Sequence, residues 1–147
     1  MVRIVTLLVL YLVSHLVGAQ NSSQTITKEV ASGAEINVTV PNVKSDHGKV
    51  LFALYTKDTF LKQPEVGEVG EIENGISTVT FRNVKAGEYA ILCFHDSNSN
   101  EKLDFTEEGM PLEDFGSSAK VKKMGPPSFE DSKIKIDNKS LDLTIKF

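Results

Sequence analysis

Hydrophobic and polar residues alternate along most of the chain after residue 35. Residues 36–40 place Ile36, Val38 and Val40 on one side of an extended segment, with polar side chains between them. A period of two is typical of a half-buried strand, because successive side chains point to opposite faces. Similar segments, bounded by turn residues, recur along the chain. They predict strands near residues 36–40, 49–55, 76–81, 88–95, 133–137 and 141–146.

Two of these segments are apolar on both faces. Residues 49–55 and 88–95 carry hydrophobic side chains at nearly every position, which is typical of strands at the centre of a sheet. After residue 35, no helical period of useful length occurs. The sequence therefore predicts an all-β protein with one domain over residues 35–147. The expected architecture is an antiparallel β-sandwich of the immunoglobulin-like or transthyretin-like type.

A long segment from Phe105 to Ser132 follows the predicted central strand. It is rich in aromatic residues, glycine and proline, and neither the strand period nor the helix period runs through it. Irregular loops of this length inside a compact domain are usually functional. We expect this segment to form a long irregular loop that covers one apolar face of the central strand.

The N-terminal segment has a different pattern. Arg3 precedes an apolar run over residues 4–17, and the small residue Ala19 ends it before a polar stretch. These are the features of a cleaved secretory signal, whereas a membrane-spanning helix needs about 20 apolar residues. We therefore expect residues 1–19 to be a signal peptide and residues 20–34 to be a tether or a weak first strand. The protein is expected to be exported to the periplasm, the cell surface or the medium.

The charge balance narrows the range of partners. The chain has 16 basic and 20 acidic residues, and loss of Arg3 with the signal peptide leaves 15 against 20, a net charge of −5. A mildly acidic domain is a poor partner for nucleic acid or an anionic membrane, both of which require clustered Lys and Arg. We expect no nucleic acid and no membrane span after signal cleavage. A protein, a glycan or a small molecule remains open as the ligand.

Cys93 is the one cysteine in the chain, so no internal disulfide can form. Because it lies within an apolar strand, we expect a buried, unreactive thiol that packs as a small hydrophobe. The alternative is a nucleophile pair, since Cys93 and His95 share one strand face. A reactive thiolate needs an exposed, electropositive setting, which the flanking Leu92 and Phe94 do not provide. Paired carboxylates for glycoside chemistry also remain open.

The dozen residues after the central strand are rich in oxygen ligands. Calcium takes about six to eight oxygens, and ligands at alternate positions of a tight loop converge on one point. The spacing follows the calcium-loop pattern D-x-[DN]-x-[DN]-G-x₅-E, except that Glu101 stands where glycine makes the sharp turn. A side chain there costs about 1 kcal/mol of backbone strain. The predicted ligands are Asp96, Asn98, Asn100, the Lys102 carbonyl, Asp104 and Glu107.

Two other interpretations of this loop compete with calcium binding. Asn and Asp dominate turns for purely local reasons, and they tolerate left-handed backbone angles. A strand rather than a helix precedes the loop, so the pattern predicts calcium ligands without predicting an EF-hand.

Several segments of the chain occur together in one bacterial family. They are Gly48-Lys49-Val50-Leu51-Phe52-Ala53-Leu54-Tyr55, Gly87-Glu88-Tyr89-Ala90, Phe94-His95-Asp96-Ser97-Asn98-Ser99-Asn100, Leu103-Asp104, Gly109-Met110-Pro111-Leu112-Glu113 and Gly125-Pro126-Pro127-Ser128-Phe129-Glu130-Asp131. In combination they resemble the family catalogued as domain of unknown function 2141. The resemblance covers about residues 36–147 and implies a secreted bacterial β-domain with no established activity. In that family a glycine usually occupies the position of Glu101.

Two classes of function follow from these observations. The first is an exported, non-enzymatic binding or accessory module of unknown ligand, stabilised by calcium. The alternative is a small hydrolase-like enzyme with a site around His95, under the segment 105–132. Exposed aromatic residues on a rigid loop would favour binding, and a pocket holding His95 beside an activated nucleophile would favour catalysis.

Overall fold

The protein is a two-sheet β-sandwich in a computed structural model that describes residues 33–119 and 125–147. Within these ranges no helix is long and apolar enough to span a bilayer. The predicted signal peptide and residues 20–32 of the predicted tether lie outside the described residues. The strands are β1 (Ala34–Val40), β2 (Lys49–Tyr55), β3 (Val66–Gly70), β4 (Ile72–Glu73), β5 (Ile76–Val84), β6 (Gly87–Asp96), β7 (Phe115–Ser117), β8 (Lys133–Ile136) and β9 (Leu141–Thr144), and a short helix, α1 (Phe129–Ser132), precedes β8.

The predicted all-β sandwich is confirmed. The first sheet has the order β4-β5-β1-β9, and the second has the order β3-β2-β6-β7. The long strand β6 pairs with β2 along one edge, while β8 and β7 pair in succession along its other edge. Each of the six predicted strands is present, β2 with the predicted bounds and the other five with ends shifted by one to three residues, whereas the sequence did not predict β3, β4 or β7.

One strand pair differs from the antiparallel prediction. β9 lies parallel to β1, with Ile36 opposite Leu141 and Thr39 opposite Thr144. The preceding strand β8 belongs to the other sheet, so the chain crosses the sandwich between these two strands. Alternation along a strand shows which side chains are buried but carries no information about strand direction, which explains the difference.

The core lies between the two sheets. Ile36, Val38 and Val40 of β1 are fully buried, as the period of two predicted. Phe81 of β5 and Phe52 of β2 are the largest fully buried side chains among the described residues, and they come from opposite sheets. Burial of one such side chain contributes about 1.5–3 kcal/mol, so the facing apolar rows hold the sheets together.

Aromatic side chains cover part of the outer face of the second sheet. The ring of Phe60 lies 5.8 Å from that of Tyr55 and 5.7 Å from that of Phe129, in edge-to-face geometry. Phe129 opens α1, and this helix packs against β6. The helix begins after Ser128, whose hydroxyl oxygen accepts a hydrogen bond of 3.2 Å from the Asp131 amide.

The segment 105–132 is more regular than predicted. Its described part contains β7, α1 and an isolated bridge between Phe105 and Pro111. These elements are three or four residues long or a single bridge, which is too short for a hydrophobic period to reveal. The rest of the described segment is irregular, as predicted. The segment was also expected to cover one apolar face of the central strand; in the described residues α1 packs against β6, whereas β7 pairs along its edge.

Gly48 allows β2 to begin directly against the end of β6. Its φ is 74°, and a Cβ at this position would lie 2.1 Å from the backbone oxygen of Asp96. Gly109 also has a left-handed φ of 79°, but a Cβ there would meet no atom within 4 Å. A side chain at Gly109 would therefore cost backbone strain alone, whereas a side chain at Gly48 would cost backbone strain and steric overlap together.

We expect Gly48→Ala to destabilise the fold far more than Gly109→Ala. The Gly109 change adds only the left-handed penalty of about 1–2 kcal/mol. The Gly48 change adds an overlap with backbone, which costs about 1–3 kcal/mol more. Urea unfolding monitored by circular dichroism measures both values. Equal losses in the two variants would show that the close approach of β2 to β6 does not constrain the fold.

Candidate functional site

Asp96 is a buried carboxylate at the end of β6. The residue is 2% exposed. Both of its carboxylate oxygens accept hydrogen bonds from backbone amides. Oδ1 accepts from the amide of Asn100 at 3.1 Å, and Oδ2 accepts from the amide of Glu101 at 2.9 Å. Backbone donors to a carboxylate are charge-assisted and strong. Asp96 therefore fixes the turn that follows the strand.

Asp104 lies at the other end of the same loop and accepts hydrogen bonds from residues inside it. Its Oδ2 accepts from the side-chain amides of Asn98, at 2.7 Å, and of Asn100, at 2.9 Å. The amide oxygens of these two asparagines accept from the backbone of Asn100 and Lys102, at 3.1 Å and 2.9 Å. Five of the six predicted ligand residues, all except Glu107, are thus joined by hydrogen bonds within one loop.

Glu113 is a third carboxylate on this loop, and it was not predicted. Its Oε1 accepts from the amide of Ser97 at 2.9 Å and from the Ser97 hydroxyl at 3.2 Å, while Oε2 is 3.4 Å from the Asp104 amide. A hairpin closed by the Phe105–Pro111 bridge returns the chain to the loop. Spacing along the sequence gave no sign of this return.

The structure does not assemble the six predicted ligands into one shell. Glu107 lies exposed in the turn at the tip of the hairpin, where the amide of Gly109 donates to the Thr106 carbonyl at 2.9 Å. Among residues 33–119 and 125–147, no three Asp, Glu, His or Cys side chains are grouped closely enough to hold a metal ion. The calcium site stays a prediction.

Glu101 takes the sharp turn itself. Its φ is 60°, and Ser99 two residues earlier has the same value. The hydrogen bond from the Glu101 amide to Asp96 holds this conformation in place. A side chain at left-handed angles costs about 1 kcal/mol or more, so the loop retains strain at the position where the calcium-loop pattern has glycine.

The residues of the proposed nucleophile pair are both buried. Cys93 is 2% exposed, and its sulfur lies 3.8 Å from the carbonyl oxygen of Gly116. Burial raises the pKa of the Cys93 thiol well above its usual range, so the thiol is protonated at neutral pH. His95 is 5% exposed, and its Nε2 lies 2.7 Å from the carbonyl oxygen of His47. The predicted burial of Cys93 is confirmed.

We expect Cys93 in the native protein to resist a bulky thiol reagent between pH 6 and 9. The thiolate is the reactive form, and burial suppresses both its formation and the approach of the reagent. Mass spectrometry after reaction with a maleimide measures the labelled fraction. The same protein in urea is the control and should label completely. Rapid labelling of the native form would restore the Cys93–His95 nucleophile pair as a candidate.

A comparison with protein families shows which family the chain belongs to. A family model described as an uncharacterised protein conserved in bacteria, domain of unknown function 2141, matches residues 38–144. No curated protein and no solved structure matches the chain. The matched range includes β2, β6, the loop between Asp96 and Asp104, and Glu113. The chain therefore belongs to the bacterial family catalogued as domain of unknown function 2141.

Proposed function

We propose that this protein is an exported, non-enzymatic binding or accessory module whose fold is stabilised by calcium at the loop after β6. Export is supported by the features of a signal peptide in residues 1–19. The calcium role is supported above all by Asn100, which joins two carboxylates. Its backbone amide donates to Asp96 and its side-chain amide donates to Asp104.

Calcium would take the place of the hydrogen-bond donors that hold the carboxylates of Asp96, Asp104 and Glu113 at this loop. Asp96, Asp104 and Glu113 each accept donors from the loop, yet a carboxylate has about four lone-pair positions and retains acceptor capacity. Rotation of the Asn98 and Asn100 side chains would turn their amide oxygens toward the ion. Asp104 would then be released from two amide donors and would move toward Asp96. Carboxylate, amide and carbonyl oxygens are the ligands that calcium prefers.

The buried thiol of Cys93 favours binding over catalysis. A nucleophile must reach its substrate as a thiolate, and this thiol is both protonated and enclosed. Nε2 of His95 lies 2.7 Å from the His47 carbonyl oxygen and donates to it, so this nitrogen cannot take a proton from Cys93. The residues proposed for catalysis thus stabilise the end of the sandwich.

Calcium should raise the melting temperature in the millimolar range. Extracellular calcium modules bind at about 10⁻⁴–10⁻³ M, and a ligand at about 100 times its dissociation constant adds about 2.7 kcal/mol to stability. Asp104→Asn and Glu113→Gln should reduce the shift, while Glu73→Gln on β4 serves as the charge-matched control. Differential scanning fluorimetry with calcium and with a chelator measures these shifts.

The same measurement compares Glu107 and Glu113 as candidates for the calcium ligand that comes from outside the loop between Asp96 and Asp104. Glu107→Gln should leave the calcium shift unchanged if Glu113 supplies the ligand, and should reduce it if the sequence spacing is the better guide. If calcium leaves the melting temperature of the unaltered protein unchanged, the loop is a polar turn and the calcium role is wrong.

Glu101→Gly should stabilise the protein by about 1 kcal/mol even in a chelator. Glycine adopts the left-handed φ of this position without the steric cost of a side chain. Lys102→Gly is the control, because that residue does not have a positive φ and glycine there only adds freedom to the unfolded chain. Urea unfolding measures both. A loss of stability in Glu101→Gly would show that the side chain contributes more than the strain costs.

A further inference from the structure

A cavity of about 330 Å³ lies between β7, the segment that leads into α1, and the C-terminal end of the chain. Its apolar walls include the side chains of Phe115, Phe147, Pro126 and Pro127. A volume of this size suits a small molecule with a single ring and short substituents. The predicted ligands of the Asp96 loop do not line it, so it is a separate feature of the fold.

The wall formed by the C-terminal segment is fixed in place. A Cβ on Gly116 would lie 2.5 Å from Cγ2 of Ile145, so the segment packs directly on β7. Asn42 holds the last residue, since its side-chain amide donates to the Phe147 carbonyl at 3.2 Å and its oxygen accepts from the Phe147 amide at 3.3 Å. The Phe147 wall is therefore already built before a ligand binds.

Ser132 adds an unsatisfied hydroxyl at this cavity. The residue lines the cavity and is fully buried, and its Oγ has no hydrogen-bond partner among the described residues. A buried hydroxyl without a partner is costly, and a ligand that supplies one recovers that cost. The Ser132 carbonyl already accepts from the Ser118 hydroxyl, so the backbone that carries this side chain is anchored.

Among the described residues that line the cavity, Asp131 and Lys146 carry one charge of each sign. The Asp131 carboxylate accepts from the Ser128 hydroxyl at 2.7 Å, which ties it to the helix start. A strongly charged ligand would meet a like charge at one wall, so this lining favours a neutral ligand.

We infer that this cavity binds a small neutral ring compound that carries a hydroxyl group. The ring packs against the phenylalanine and proline side chains, and a turn of the Ser132 side chain brings its hydroxyl to the ligand's hydroxyl. This inference deepens the binding role proposed above and rests on it, but it does not require calcium. A sugar ring and an aromatic alcohol share the required chemistry, and the experiment separates these two sources.

The test is a nuclear magnetic resonance titration of the ¹⁵N-labelled full chain, with and without a chelator. Glucose represents the sugar, p-cresol the aromatic alcohol, and toluene is p-cresol without its hydroxyl. We expect saturable shifts at the amides of Gly116, Ser117 and Ile145 with glucose or with p-cresol. Toluene should bind at least about fivefold more weakly than p-cresol, because it offers no partner to Ser132.

Two serine variants make the assignment specific. Ser132→Ala should remain folded, because its hydroxyl has no partner to lose, and should weaken binding by about five- to tenfold. Ser77→Ala is the matched control, since Ser77 is the other buried serine without a described hydroxyl partner and does not line the cavity. It should leave binding unchanged. Phe147→Leu should weaken binding through loss of the ring.

Four outcomes would overturn the inference, and three of them concern glucose, p-cresol and the Ser132 variant. They are no saturable shift with glucose or p-cresol, shifts located away from the cavity, and equal affinity in Ser132→Ala and the unaltered protein. Toluene that binds as tightly as p-cresol would also overturn it, because the cavity would then be a purely apolar one. The calcium shift in melting temperature is measured separately, so failure of either proposal leaves the other one tested by its own result.

Discussion

The need to cover both faces of β6 determines most of this structure. The strand is apolar on both sides, and its edges pair with β2 on one side and with β7 and β8 on the other. Its inner side chains, such as Ile91 and Cys93, enter the core against the first sheet. Its outer face is approached by α1. A strand this apolar is stable only when the first sheet covers its inner face and α1 packs on its outer face, because exposed apolar area is costly in water.

The backbone conformation of the loop after β6 depends on one carboxylate, that of Asp96. Asp96 is the last residue of the strand and is buried, so its charge must be matched by strong donors. The amides of Asn100 and Glu101 provide them, and this requirement bends the backbone into left-handed angles at Glu101. The strain at Glu101 is thus a consequence of satisfying a buried charge. Asp104 accepts from the side-chain amide of Asn100, the residue whose backbone amide donates to Asp96.

The acidic loop and the cavity are close along the chain although their chemistry differs. Glu113 contacts the loop, and Phe115 two residues later lines the cavity. Between them, the carbonyl of Asp114 accepts from the His95 amide at 2.9 Å, and the Asp114 carboxylate pairs with Lys44 at 2.7 Å. The short stretch of chain that carries Glu113 is therefore anchored to β6 and to Lys44 immediately before β7 begins.

The sequence alone determined the all-β class, the six main strands and the burial of Cys93, because each depends on local alternation between apolar and polar positions. It also located the cluster from Asp96 to Asp104, since these residues are neighbours in the chain, whereas the structure showed that Glu101 itself takes the left-handed turn. Only the tertiary structure decided that β9 runs parallel to β1, that Glu113 rather than Glu107 contacts the loop, and that the Ser132 hydroxyl lies at a cavity with no hydrogen-bond partner among the described residues. Each of these depends on a chain return or a crossing between sheets, and residue spacing does not record which distant segments meet.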